Sequence, residues 1–318
     1  MKTFFKFGLG MAAVLLASCS SNSLDEIAPN EEQSSFPEYN VTMTIPDFLE
    51  EDGTRTALTY DNENRVMSFA WAEGDVVGVY SDEASGGNLA TFKIKNISAS
   101  DPKSASFNGG GFRLIGGNRY TAVFPYNGTA IEQTSFPVNF EEQVQLVNNG
   151  TGHLGAYDYM AVSATASSDN AANFAFAHLG AIMRLELTAP GAGTYTSLKI
   201  SAPEKFFIKK GVVNLLAATP TITCEDDSNF ANEYTLKLGE GGSGISLATN
   251  DEDLIIFLFI PPIDLTSQTL TFTLMDNHGS VTEYTRVGFN MRPGIVFRHK
   301  PTKVVGSISG SGSGYPFG

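Results

Sequence analysis

The sequence predicts an all-β protein, organised as two tandem antiparallel β-sandwich domains. Three observations carry that expectation. Apolar and polar residues alternate at period two in many short stretches, and almost none repeats at the helical period. The chain holds 32 Gly, 23 Phe and 11 Tyr in 318 residues, with Thr, Val and Ile recurring throughout, a mixture that suits strands and turns. Turn-forming clusters break these stretches: Asp61-Asn62-Glu63-Asn64 and Asp276-Asn277-His278-Gly279 each separate two strand-like runs, as in a β-hairpin.

Composition narrows the function. Hydrophobic residues make up 42%, enough for a real core. Charged residues make up only 17% and the net charge is -14, which argues against a basic groove for nucleic acid. Two cysteines exclude a disulfide framework.

The elements follow in order. Lys2 and Lys6 precede an uncharged run, Phe7 through Ala17, too short to span a bilayer as a stable helix. It ends Leu16-Ala17-Ser18-Cys19, which is similar to a bacterial lipobox. Residues 1–18 are therefore expected to be a lipoprotein signal peptide and Cys19 the acylated mature N-terminus, with the lipid anchor as the sole membrane contact. Residues 19–37, rich in Ser, Asn, Glu and Pro, read as a flexible tether. Val41, Met43 and Ile45 alternate with Thr42 and Thr44 as a strand with one apolar face. Thr56–Tyr60 and Arg65–Trp71 read as a hairpin, in which Met67, Phe69 and Trp71 share one face and Trp71 plugs the core.

Strands are further expected at 76–80, 90–97, 120–124, 142–147 and 157–164. Small polar residues at Ser167–Asn173 suggest a joint, giving an N-terminal sandwich at 38–170 and a C-terminal one at 171–306. In the second block, strands are expected at 181–188, 197–201, 211–215, 234–238, 254–260, 269–275, 281–286 and 295–305. The run 254–260 is unbroken apolar sequence, fit for a fully covered strand. Residues 307–318 form a Gly/Ser tail.

No catalytic constellation emerges: the chain has no G-x-S-x-G elbow, no H-E-x-x-H and no P-loop. His153, His178, His278 and His299 have no partner at metal spacing, and the Gly-rich loops do not open helices that would cradle phosphate. The acidic runs 225–227 and 251–253 lack the order of a calcium loop. The expectation is a protein that is not an enzyme and uses no metal or cofactor.

Several stretches together resemble the fimbrillin family of pilus subunits and surface lipoproteins from Gram-negative anaerobes. They are Gly53-Thr54-Arg55-Thr56, then Trp71-Ala72-Glu73-Gly74-Asp75 leading into Val76–Tyr80, Tyr120–Tyr126, Asp158-Tyr159-Met160, His178–Ile182 and Thr269–Leu274. The resemblance implies two transthyretin-like sandwiches and export as an outer-membrane lipoprotein. It also implies assembly with other pilus subunits by strand addition, or adhesion to a host or bacterial surface receptor. Carried onto this chain, it makes Val41, Met43 and Ile45 a removable strand and Arg55-Thr56 the site of cutting by an Arg-specific protease. The piece from Cys19 to Arg55 holds nine acids and one Arg, so the cut would also discard the lipid and much negative charge. The tail offers Val304, Gly306 and Ile308 in alternation, but Ser309–Gly314 is a poor strand, which favours a tip or accessory role over a shaft. The alternative is a stand-alone surface lipoprotein that binds glycan or host protein without polymerising.

Overall fold

Alternation of buried and exposed side chains sets the architecture. A computed structural model of the chain describes residues 38–51, 60–61, 66–81, 89–110, 112–128, 134–189, 191–250 and 252–303. The described residues are all-β with several sheets and contain no α-helix, only three short 3-10 turns. The strands belong to one compact unit that begins at Pro37.

The first sheet has eight strands in the order Ala171–Ala175, Asn40–Thr44, Ser104–Gly109, Leu89–Ile97, Val76–Tyr80, Arg119–Phe124, Met160–Thr165, Ala177–His178. Neighbours are antiparallel except the first pair, where Asn40–Thr44 runs parallel to Ala171–Ala175. The first and last strands in that order are separated in sequence by Phe176 alone, so one extended stretch supplies both edges of the sheet. The sequence placed a joint at 167–173 and opened the second block at 171; instead, 171–175 is paired strand in the first sheet.

The second sheet runs Val144–Gln145, Glu233–Leu238, Gly193–Ser201, Thr269–Asp276, Val281–Val287, with Ile245–Leu247 also paired to Gly193–Ser201. The third runs Asp253–Ile260, Ala181–Thr188, Ile295–Lys303, Phe48–Glu51, Val66–Met67, Tyr60–Asp61. Ala181–Thr188 is buried on both faces through Leu187, as its central place requires. Gly180, just before it, lies so close to Phe259 that a Cβ there would collide with the ring.

Two of the expected turns form as their chemistry demands, whereas residues 62–64 of the first expected hairpin turn lie outside the described residues. At 276–280 the Asp276 Oδ1 accepts from the backbone N–H of both His278 and Ser280 at 2.8 Å, and Gly279 takes φ 79°. After Trp71, the Asp75 N–H donates to Ala72 O at 3.1 Å and the Ala72 N–H to Asp75 Oδ2 at 2.8 Å, with Gly74 at φ 96°. Burial pushes the Asp75 carboxyl up, and the Ala72 hydrogen bond opposes that shift. The Trp-x-x-Gly-Asp stretch is thus a closed turn that ends the Trp71 segment and starts Val76–Tyr80.

Candidate strand-exchange site

The strand Asn40–Thr44 is second in the first sheet, between the edge strand Ala171–Ala175 and Ser104–Gly109. On one side its register is Val41 opposite Phe107 and Met43 opposite Ala105. On the other it is Val41 opposite Ala172 and Met43 opposite Phe174. Period two then sends Val41, Met43 and Ile45 inward, each no more than 3% exposed, while Asn40 and Thr42 face out. Thr42 Oγ1 donates to Asn173 Oδ1 at 3.2 Å on that outer face.

Aromatic rings floor the site. Trp71 is 4% exposed, donates from Nε1 to Met43 O at 3.1 Å, and meets Phe107, Phe124 and Phe176 edge-on with centroids 5.1, 5.1 and 6.0 Å away. Met67 and Phe69 are buried as well, so all three residues of the expected apolar face are inside. Tyr39, just before the strand, donates its hydroxyl to Phe112 O and packs edge-on against Phe92; burial pushes that hydroxyl above its ordinary value.

The chain does not leave the core after Ile45. The Ile45 N–H donates to Lys103 O and the Phe176 N–H to Thr44 O, at 2.9 and 3.0 Å. Asp47 takes Lys103 Nζ at 2.7 Å and Ser68 Oγ at 2.6 Å. Phe48 is fully buried, stacked on the His178 ring at 3.6 Å and edge-on to Phe259 at 6.1 Å. Phe48–Glu51 then pairs with Ile295–Lys303 and Val66–Met67 in the third sheet. One stretch of fourteen described residues, 38–51, is thus shared between two sheets.

His178 fastens the crossing point. Its Nδ1 is 2.8 Å from Asp158 Oδ1 and its Nε2 is 3.0 Å from the carbonyl of Pro46, with both side chains 1% exposed. Asp158 Oδ2 has no hydrogen-bond partner, so the carboxyl depends on His178. The sequence expected His178 to be packed or hydrogen-bonded; Asp158, twenty residues away, and Pro46 carried no local signal.

Cys19, Arg55 and Thr56 lie outside the described residues, as do 1–37 and the tail from 304. Among the described residues no group of His, Cys, Asp or Glu is arranged to hold a metal. Cys224, partly exposed, is 3.4 Å from Asp226 O.

Comparison with known proteins gives the frame for this geometry. A search of curated proteins finds no match. Among solved structures, a candidate cell adhesion protein from Bacteroides ovatus shares the fold, with TM-score 0.51 and 12% identity over 86% of this chain and 97% of that one. A second candidate cell adhesion protein, from Bacteroides uniformis, matches with TM-score 0.48 and 16% identity over 76% of this chain and 91% of that one. The family model described as fimbrillin-like matches residues 54–294, more than half of the sequence. The chain therefore belongs to the fimbrillin-like family.

Proposed function

We propose that this chain is a fimbrillin-like pilus subunit, at the tip or as an accessory adhesin, exported as a lipoprotein through Cys19 and assembled at the cell surface by donor-strand exchange. In this reading Arg55-Thr56 is the processing site, other pilus subunits supply or receive the strand, and the mature protein sits on the outer membrane or pilus. The division into two transthyretin-like halves belongs to the same proposal. The first sheet, which runs to His178, supports a boundary close to Gly180.

One observation carries the proposal. Asn40–Thr44 is flanked by strands on both sides and buries Val41, Met43 and Ile45, with Arg55 a short distance downstream. Withdrawing it would leave two unpaired rails, Ser104–Gly109 and Ala171–Ala175, over an aromatic floor. Backbone rails accept any extended segment of the right alternation, which is the chemistry of strand addition.

A second observation favours the alternative, a surface lipoprotein that keeps the segment. A cut at Arg55 removes Phe48–Glu51 along with Asn40–Thr44, and Phe48 is as buried as Met43. N-terminal sequencing of protein taken from native surface material separates the two. A mature chain starting at Thr56 supports exchange; one found throughout as acylated Cys19 supports an anchor, tip or stand-alone adhesin and removes the shaft role.

A further inference from the structure

The outer edge of the strand Asp253–Ile260 is closed by side chains rather than by another strand. Seven of its backbone groups point away from Ala181–Thr188, and each has a partner. Gln143 holds Phe259: its Nε2 donates to Phe259 O at 2.7 Å and its Oε1 accepts from Phe259 N at 2.9 Å. Gln145 Oε1 accepts from Phe257 N and its Nε2 donates to Ile255 O, both at 2.8 Å. Asn148 Oδ1 accepts from Ile255 N at 2.8 Å and its Nδ2 donates to Asp253 O at 3.0 Å. The last carbonyl, Phe257 O, is 3.0 Å from His153 Nε2.

A side-chain amide has one donor side and one acceptor side, as a peptide group does, so these three amides take the place of a neighbouring strand. Gln143 and Gln145 are fully buried, which polar side chains tolerate only when satisfied in this way. Their own backbone seals a second edge: the Lys237 N–H donates to Gln143 O and the Gly239 N–H to Gln145 O, while Val144–Gln145 runs parallel to Glu233–Leu238. The stretch is bracketed by two non-glycine residues of positive φ, Glu142 at 62° and Asn149 at 57°. These turns set it off from the flanking chain.

We propose that residues 143–148 form a built-in seal that prevents strand addition at Asp253–Ile260, and that opening the seal lets a second copy of this chain pair through the same strand. The sealed sequence is the hazard: Leu254–Ile260 is seven consecutive apolar residues without charge or proline, the type of strand that pairs with itself when its edge is free. The sealing residues lie outside the N-terminal segment, whose Phe48 packs edge-on against Phe259 of the sealed strand.

The test uses the full chain with Gln143→Leu and Gln145→Leu, which keep bulk and lose the hydrogen bonds. Amide hydrogen exchange at Phe257 and Phe259 is expected to speed up about tenfold or more, with exchange at Val41 and Met43 unchanged. Light scattering is expected to show the parent mass doubling as concentration rises. Should the double variant not fold, Asn148→Ala frees only Ile255 N and Asp253 O at the outer end, and Ile255 is then the reporter. Parent-like exchange at these amides overturns the proposal, because something other than the amides shields the edge. Faster exchange with a mass that stays at the parent value at every concentration also overturns it, because an open edge then recruits nothing.

Discussion

Two seams of the molecule are closed by different chemistry. In the first sheet, Asn40–Thr44 fills a gap between two strands and is held through its backbone. In the third sheet, the edge of Asp253–Ile260 is covered by the amides of Gln143, Gln145 and Asn148. Backbone pairing is nearly blind to sequence, so the filler of the first seam can be replaced by any strand that alternates correctly. Side-chain pairing ties three particular residues to three particular peptide groups, and a strand arriving there must first displace them. One seam is suited to exchange and the other to permanence.

The largest test of that contrast is to remove the filler. A chain lacking residues 1–55 loses the burial of Val41, Met43, Ile45 and Phe48. At roughly 1.5–3 kcal/mol each this is on the order of 6–12 kcal/mol. A whole domain is stable by only about 5–15 kcal/mol. The truncated protein is expected to show no cooperative thermal transition alone, and to regain one when a synthetic peptide of residues 38–51 is added. Unchanged melting without peptide would mean that the strand is ornamental.

Next in size is the fastening at the crossing. His178→Ala leaves the Asp158 carboxyl buried with no partner and frees the Pro46 carbonyl, and a broken buried pair costs about 3–5 kcal/mol. Urea denaturation is expected to show a loss of that size. The paired replacement His178→Phe with Asp158→Leu removes both polar partners together and restores most of it. If the pair of changes is as damaging as the single one, the ring's hydrogen bond to Pro46 matters more than its bond to Asp158.

Met43→Ala should follow, at about 2–5 kcal/mol in the same denaturation experiment. The side chain is fully buried between Ala105 and Phe174, and its carbonyl fixes Trp71, so the site has little freedom to collapse. A cost under 1 kcal/mol would show that the groove closes over the gap, which is what a groove awaiting another strand should not do.

Legibility in the sequence followed the range of the contacts. The inward set Val41, Met43 and Ile45, the existence of a strand at 181–188 and the turn at 276–280 are readable because alternation and turn chemistry are local, although the burial of both faces of 181–188 is not. The sequence reading takes 171–173 into the joint Ser167–Asn173 because the stretch is small and weakly patterned; its partner Asn40–Thr44 lies far back in the chain. Ser104–Gly109 escapes the sequence reading for the same reason, four of its six residues being serine, asparagine or glycine. Phe48–Glu51 carries two acids in four residues and gave no alternation. Gln143 and Gln145 fall in the strand expected at 142–147, but the role of their amides and of Asn148 is not legible, since nothing local tells a solvated amide from one that caps a strand more than a hundred residues away.

The smallest predicted effect separates the two parts of the N-terminal segment. Leu49 belongs to the same stretch as Met43 and is paired on both sides, with Ile295 and with Val66. Its side chain is nonetheless 62% exposed, because period two turns it away from the face that buries Phe48. Leu49→Ala should therefore stay within about 0.5 kcal/mol of the parent in urea. If instead Leu49→Ala leaves stability alone but lowers recovery of the protein in complexes with other surface proteins, that exposed face is a contact surface, and the segment binds partners while remaining in place. If it destabilises the chain by as much as Met43→Ala, the third sheet depends on this strand as strongly as the first depends on Asn40–Thr44. A cut at Arg55 would then unmake both sheets, and the reading in which the segment is retained gains over exchange.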